Sequence, residues 1–159
     1  MSDILIRTSG QAGHITLNRP AALNALTYDM VRAIDLALQD WAQDPSVSLV
    51  VIDATGEKAF CAGGDIADLY STGRAGDFTY GQDFWRDEYR LNAQIANYAK
   101  PIVTFLQGFT MGGAVTRRTA SCAKTLRSRC LNAGSDLCPM LAAPCCLPMH
   151  PVGLVNITG

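Results

Sequence analysis

Ala59-Phe60-Cys61-Ala62-Gly63-Gly64-Asp65-Ile66 is the stretch on which the reading of this chain turns. It follows Val47–Ile52, an apolar, β-branched run of the kind buried on both faces of a sheet. It leads into Ile66-Ala67-Asp68-Leu69-Tyr70, which can start a helix. The same grammar returns downstream, where the strand-like run Ile102–Leu106 is followed by Gly108-Phe109-Thr110-Met111-Gly112-Gly113. Strand, glycine turn and helix therefore occur at least twice without an exact repeat, which predicts an α/β fold. Backbone N–H groups at two such helix starts can converge on one oxygen anion. Side chains beside those donors must be small for a substrate to reach the backbone, and Gly63-Gly64 and Gly112-Gly113 meet that need. This is equipment for stabilising an enolate, or a tetrahedral intermediate made from an activated acyl group. On the motif alone, tight turns with no chemistry fit equally well.

Outward from the turns, the remaining elements follow from periodicity. Ile4–Arg7 and Gly13–Leu17 read as two strands around Ser9-Gly10, ended by Asn18-Arg19-Pro20. Thr27 is an N-cap for a helix carrying Met30, Ile34, Leu38 and Trp41 at spacings of three or four, stopped by Asp44-Pro45. Ser71 to Gly81 reads as a loop. Phe84 to Tyr98 has helical spacing through Phe84, Tyr89 or Glu88, Leu91 and Ile95, and Lys100-Pro101 breaks it.

The chain has 159 residues, enough for one domain with a real core, with 48% hydrophobic residues and a net charge of −1. That balance favours neither nucleic acid nor an anionic membrane. No apolar run is long enough to span a bilayer, and Met1-Ser2-Asp3-Ile4-Leu5-Ile6-Arg7 lacks the apolar core of a signal peptide. The expected compartment is a cytoplasm, or an organelle matrix in a eukaryote. The averages conceal a break. All 12 aromatic residues precede position 114, and five of the six cysteines follow it. Residues 1–113 carry 8 basic and 13 acidic side chains, the remainder 5 and 1.

Asn18-Arg19-Pro20, Asn24-Ala25-Leu26, the 59–66 stretch, Lys100-Pro101 and Met111-Gly112-Gly113 occur in order and at suitable spacings. Together they resemble the crotonase superfamily, the enoyl-CoA hydratase/isomerase family, over roughly residues 3–115. Gly64-Asp65-Ile66, Leu69-Tyr70, Gly76-Asp77, Phe84 and Glu88-Tyr89-Arg90-Leu91-Asn92 are most similar to its branch that hydrolyses 3-hydroxyisobutyryl-CoA in valine breakdown. The resemblance implies a crotonase-like spiral of ββα turns, of which residues 1–115 are the N-terminal part. It implies an acyl-CoA thioester as substrate, CoA being part of that substrate, with no metal and no redox cofactor. Oligomerisation stays open for a full-length member. Carried over by position, the backbone N–H groups of Gly64 and Gly113 form the oxyanion hole, and Ala62, Gly63, Asp65 and Gly112 line the CoA substrate, the backbone around Ala62 facing its adenine end.

The other candidates read more plainly. Cys61 has no histidine near it in sequence and reads as packing. His14 reads as a surface or edge strand residue. Asp65 reads as a helix cap before an acid or base, and Glu88 as structural before catalytic. Phe84 and Trp85 read as core or lid. Cys130, Cys138, Cys145, Cys146 and His150 lack the paired Cys-x-x-Cys spacing of zinc sites, and disulfides are not expected in a reducing compartment.

Residues 116–159 do not read as part of this family. Ala114 stands where the resemblance calls for glycine, and Thr116-Arg117-Arg118 would bring unpaired charge into a buried helix. The branch's Met-Pro-Glu and Pro-Asp-x-Gly-Gly carboxylate segments do not occur. Codons exist for Asp136–Gly159 whose frame displaced by two bases reads Ser-Leu-Pro-Asp-Ala-Gly-Gly-Ser-Leu-Leu-Leu-Ala-His-Ala-Ser-Gly-Arg-Leu-Gly-Glu-Tyr-His-Gly. Asn132-Ala133-Gly134 can likewise hide Met-Pro-Glu in the frame displaced by one. The expectation is a frameshifted translation from about residue 114, which the nucleotide sequence through codons 105–159 decides. A chain without those carboxylates is expected to turn over little or no substrate. Alternative expectations are an enoyl-CoA hydratase or isomerase, and a non-catalytic CoA-binding remnant.

Overall fold

The computed structural model describes residues 2–111 and 119–125, and all of its elements lie within one compact unit, Met1–Arg129. The chain opens with a hairpin of β1 (Ile4–Ser9) and β2 (Ala12–Leu17), turned by Gly10 at φ +58°. A single 3-10 turn, Pro20–Ala22, leads to α1 (Tyr28–Gln43). Then come β3 (Leu49–Ala54), β4 (Ala59–Cys61), α2 (Ile66–Arg74), α3 (Phe78–Ala96), β5 (Ile102–Gln107), β6 (Phe109–Thr110) and β7 (Thr119–Thr125).

Five strands form one sheet in the order β1-β2-β3-β5-β7, antiparallel between β1 and β2 and parallel elsewhere. α1 connects the parallel strands β2 and β3, and α2 and α3 lie on the connection from β3 to β5, as crossover geometry requires. β4 and β6 pair in parallel as a separate two-stranded sheet. This repeated strand–strand–helix winding is the N-terminal part of the ββα spiral expected from the sequence.

Apolar stripes hold the layers together. Thr27 caps α1 by accepting from Met30 N–H, and Met30, Val31, Ile34, Leu38 and Trp41 face inward. They meet Ile15 and Leu17 of β2 and Val50 of β3. Gly13 lets the Trp41 ring lie on the sheet, since a Cβ there would stand 2.4 Å from Trp41 Cε3. Lys100, just beyond α3, donates to the carbonyls of Trp41 and Asp44 (2.6 Å to the latter) and so satisfies the C-terminal end of α1.

One expectation changes. The loop expected over Ser71–Gly81 shrinks to Ala75–Asp77, because α2 runs on to Arg74 and α3 begins at Phe78. Gly76 at φ +84° makes the corner, and Asp77 starts the new helix by accepting from Thr79 and Tyr80 N–H at 3.0 and 3.2 Å. Local capping decided this stretch, where apolar spacing carried no signal. Beyond Val115, where the sequence pattern fades, β7 extends the parallel sheet, its Ile102↔Thr119 to Leu106↔Ala123 pairs running in step. An open strand edge offers backbone donors and acceptors that need no side-chain pattern to be paired. The cysteines expected to stay unpaired, Cys130, Cys138, Cys145 and Cys146, and His150, lie outside the described residues.

Candidate functional site

β4 and β6 place the two glycine stretches side by side. Ala59 pairs with Phe109 and Cys61 with Thr110. Met111 N–H then donates to the Cys61 carbonyl at 2.8 Å. Gly108, at φ +58°, allows this approach, because a Cβ there would stand 2.1 Å from the Lys58 carbonyl oxygen. The chain thus leaves for both turns from neighbouring points. Gly112 and Gly113 lie outside the described residues.

The backbone groups around Gly64 are almost fully committed. Ala62 N–H donates to Leu23 C=O at 3.0 Å, Gly63 N–H to Cys61 Sγ at 3.3 Å, and Asp65 N–H to Leu26 C=O at 2.9 Å. Leu26 N–H donates to Gly63 C=O at 2.8 Å. Gly64 N–H is the amide of this turn left without an acceptor among the described residues, at the head of α2. Gly63 holds φ +94°, a conformation that L side chains rarely adopt. A Cβ on Gly64 would stand 2.9 Å from Phe84 Cζ, so α3 closes one side of the turn.

The loop bonded to this turn is itself built from left-handed residues, Leu23 at φ +51° and Asn24 at φ +55°. Asn24 is fully buried. Its carbonyl accepts from Arg19 N–H at 2.8 Å, and its amide donates to Thr55 C=O at 3.0 Å and Ala59 C=O at 2.9 Å. Arg19 donates from Nη1 to Ala25 C=O at 2.7 Å and to Asp65 Oδ2 at 2.9 Å. Asp65 spends its other oxygen on Ala67 N–H at 3.0 Å, capping α2 as its position predicted.

Two titratable groups sit behind the turn. Cys61 is buried, and loss of hydration pushes its thiol up to about 11, so it stays protonated and packs as expected. Glu88 is 7% exposed, and burial raises its carboxyl above the ordinary range. It has no hydrogen-bond partner among the described residues. Of the two residues that could fill the inward position, the acid turns in and Tyr89 stays 69% exposed. Sequence reasoning ranked Glu88 low. The signal was an acid within the buried stripe Phe84-Glu88-Leu91-Ile95, where structure alone favours an apolar side chain. Phe84 is core, at 1% exposed, while Trp85 stays 44% exposed with its ring edge-on to Phe84.

His14 lies away from this turn. It accepts from Arg7 at Nδ1 (2.8 Å) and bonds Asp53 through Nε2 (2.9 Å), tying β1, β2 and β3 together. A cleft of about 250 Å³ is lined by Pro20 and Thr55–Ala59, and another of about 470 Å³ carries Asp3, Asp29 and Asp68. Neither includes the Gly64 turn. Among the described residues no group of three or more metal-ligating side chains occurs, and no helix is long and apolar enough to cross a membrane.

Comparison with known proteins agrees with this layout. The profile described as enoyl-CoA hydratase/isomerase matches residues 12–121. The chain is 48% identical over 114 residues to a mitochondrial 3-hydroxyisobutyryl-CoA hydrolase of Gallus gallus, covering 72% of this chain and 29% of that one. It is 50% identical over 114 residues to the protein of the same name from Danio rerio, covering 72% and 30%. The crystal structure of an enoyl-CoA hydratase from Rhodobacter sphaeroides 2.4.1 superposes with a TM-score of 0.69 at 56% identity, covering 77% of this chain and 40% of that one. The chain thus spans under a third of the length of these curated relatives.

Proposed function

The chain belongs to the enoyl-CoA hydratase/isomerase family, and from that premise we propose that it carries the oxyanion-binding part of an acyl-CoA thioester hydrolase of the 3-hydroxyisobutyryl-CoA type. The observation that carries the reading is the Gly64 turn, in which the amides of Ala62, Gly63 and Asp65 have acceptors and that of Gly64 has none among the described residues. That N–H, at a helix start, suits a thioester carbonyl whose oxygen gains charge during attack. Gly113 N–H is the second donor, as the family resemblance implies. Ala62, Gly63, Asp65 and Gly112 line the CoA thioester. No metal or redox group is required, because CoA itself activates the acyl carbon.

An oxyanion donor is worth on the order of 100- to 1,000-fold in rate. It polarises the carbonyl but does not deliver water, and a positioned carboxylate adds roughly 100- to 10,000-fold more. Without the Met-Pro-Glu and Pro-Asp-x-Gly-Gly carboxylates, this chain binds acyl-CoA and hydrolyses it slowly or not at all. The compartment follows the relatives named mitochondrial, an organelle matrix where one exists and a cytoplasm otherwise. The 56% identity to a structure named an enoyl-CoA hydratase favours a second reading, hydration of an enoyl thioester.

Titration calorimetry with 3-hydroxyisobutyryl-CoA, followed by release of free thiol and, in parallel, by loss of the enoyl chromophore from a short enoyl-CoA, tests all of this. Binding with little thiol release is expected. Brisk hydrolysis would overturn the impaired reading, enoyl hydration without hydrolysis would favour the second, and no binding would remove the site.

A further inference from the structure

We propose that Arg19 is a positioning residue for the Gly64 donor, one that fixes the turn and offsets the negative charge beside it. The inference rests on the oxyanion reading of that turn and adds a residue whose side chain never meets the substrate.

The geometry is a staple between two loops. Arg19 Nη1 reaches Ala25 C=O on one loop and Asp65 Oδ2 on the other, at 2.7 and 2.9 Å. Its Nε lies 3.3 Å from Asp3 Oδ2. The Arg19 side chain is 20% exposed and that of Asp65 13%, so their contact is shielded in a way that exposed pairs are not. Both neighbours of Gly64 are held by Leu26, through Gly63 C=O and Asp65 N–H. Arg19 fixes the Ala25 carbonyl just before Leu26 and the Asp65 side chain just after Gly64. Removing it frees both loops at the points where they grip the donor.

Charge adds a second reason. Asp65 follows Gly64 in the chain, and its carboxylate caps the same helix start before which the Gly64 N–H stands. A lone carboxylate there opposes an anionic oxygen at that N–H, whereas one paired with a guanidinium does not. Asp65 cannot simply be absent, because it caps α2 through Ala67 N–H. Arg19 lets the cap remain without its electrostatic penalty. Both bonds leave the one Nη1, whose two hydrogens lie in the guanidinium plane, while Nε of the same plane faces Asp3.

Two measurements on the full 159-residue chain test this. The first needs no ligand. Amide hydrogen exchange at Asp65, whose N–H is bonded to Leu26 C=O, should quicken roughly tenfold or more in Arg19→Ala, as loss of charge-assisted bonds implies. Exchange in the core of α1 should stay at the wild-type rate. The second uses 3-hydroxyisobutyryl-CoA labelled with ¹³C at the thioester carbonyl, read by infrared difference spectroscopy. The bound carbonyl band should lie below that of free thioester in the wild type and move back toward it in Arg19→Ala. Arg19→Ala combined with Asp65→Asn should recover at least half of the lost shift, since asparagine keeps the cap and removes the charge. Asp3→Ala should leave the band in place. An unshifted band in the wild type removes the oxyanion reading itself. Wild-type exchange at Asp65 in Arg19→Ala overturns the positioning role whatever the band does, and so does an unchanged band in that variant. If Arg19→Ala does not fold, Asp65→Asn alone serves. It should quicken exchange and hold the band below its free position, and wild-type exchange there overturns the proposal.

Discussion

Glu88 shows how one residue can be misjudged from its neighbours in sequence. It lies one helical turn from Phe84, the residue that closes the Gly64 turn, and it is buried with no partner among the described residues. Burial raises its carboxyl above its ordinary value of 4.5. The folded chain therefore binds more protons than the unfolded one in the window above that value, and stability falls as pH rises through it. Below the window both states are protonated and the penalty vanishes. Glu88→Gln removes a group that resists ionisation in place. The variant should match the wild type near about pH 4 and exceed it in urea midpoint at neutral pH. Equal midpoints at neutral pH would show that the carboxyl ionises there without cost. The thiol of Cys61, held up at about 11, belongs to the same dry layer and takes no part in this titration.

At the scale of elements, short polar signals decided what apolar spacing left blank. α1 was legible because Met30, Ile34, Leu38 and Trp41 repeat at helical spacing behind a threonine cap. The α2–α3 corner was not, because its information sits in Gly76 and Asp77 alone. Asp77 accepts two amides at the head of a 19-residue helix that carries both Phe84 and Glu88. Asp77→Ala should cost about 0.5–2 kcal/mol in thermal or denaturant unfolding, and Asp77→Asn much less. Equal losses in the two variants would move the cause from the cap to the charge. The parallel pairing of β4 with β6 is the other decision at this scale. Three residues of β4 and two of β6 are too few to announce themselves by alternation, yet their contact brings the two glycine stretches together.

Across the whole molecule, the described part stands on one sheet-to-helix interface in which Trp41 lies on Gly13. Gly13→Ala forces that ring off the sheet and should cost about 1–3 kcal/mol, with a shift in tryptophan emission. An unchanged stability would mean that the interface can slide. The residue sequence by itself determined the α/β class, the strands and helices with strong periodicity, the capping role of Asp65 and the family, because each rests on local pattern or on an ordered set of motifs. It also marked the change in composition after position 113, since aromatic and charge content need no fold to be counted. Only the tertiary structure decided which amide of the Gly64 turn has no acceptor among the described residues, that Arg19 and Asn24 bond the segments around it, and that Glu88 rather than Tyr89 turns inward. Those facts depend on partners distant in sequence, such as Arg19 with Asp65 and Asn24 with Ala59, that meet only when the strands are in register. Packing of the helices on the sheet sets that register, and no local stretch of chain contains it.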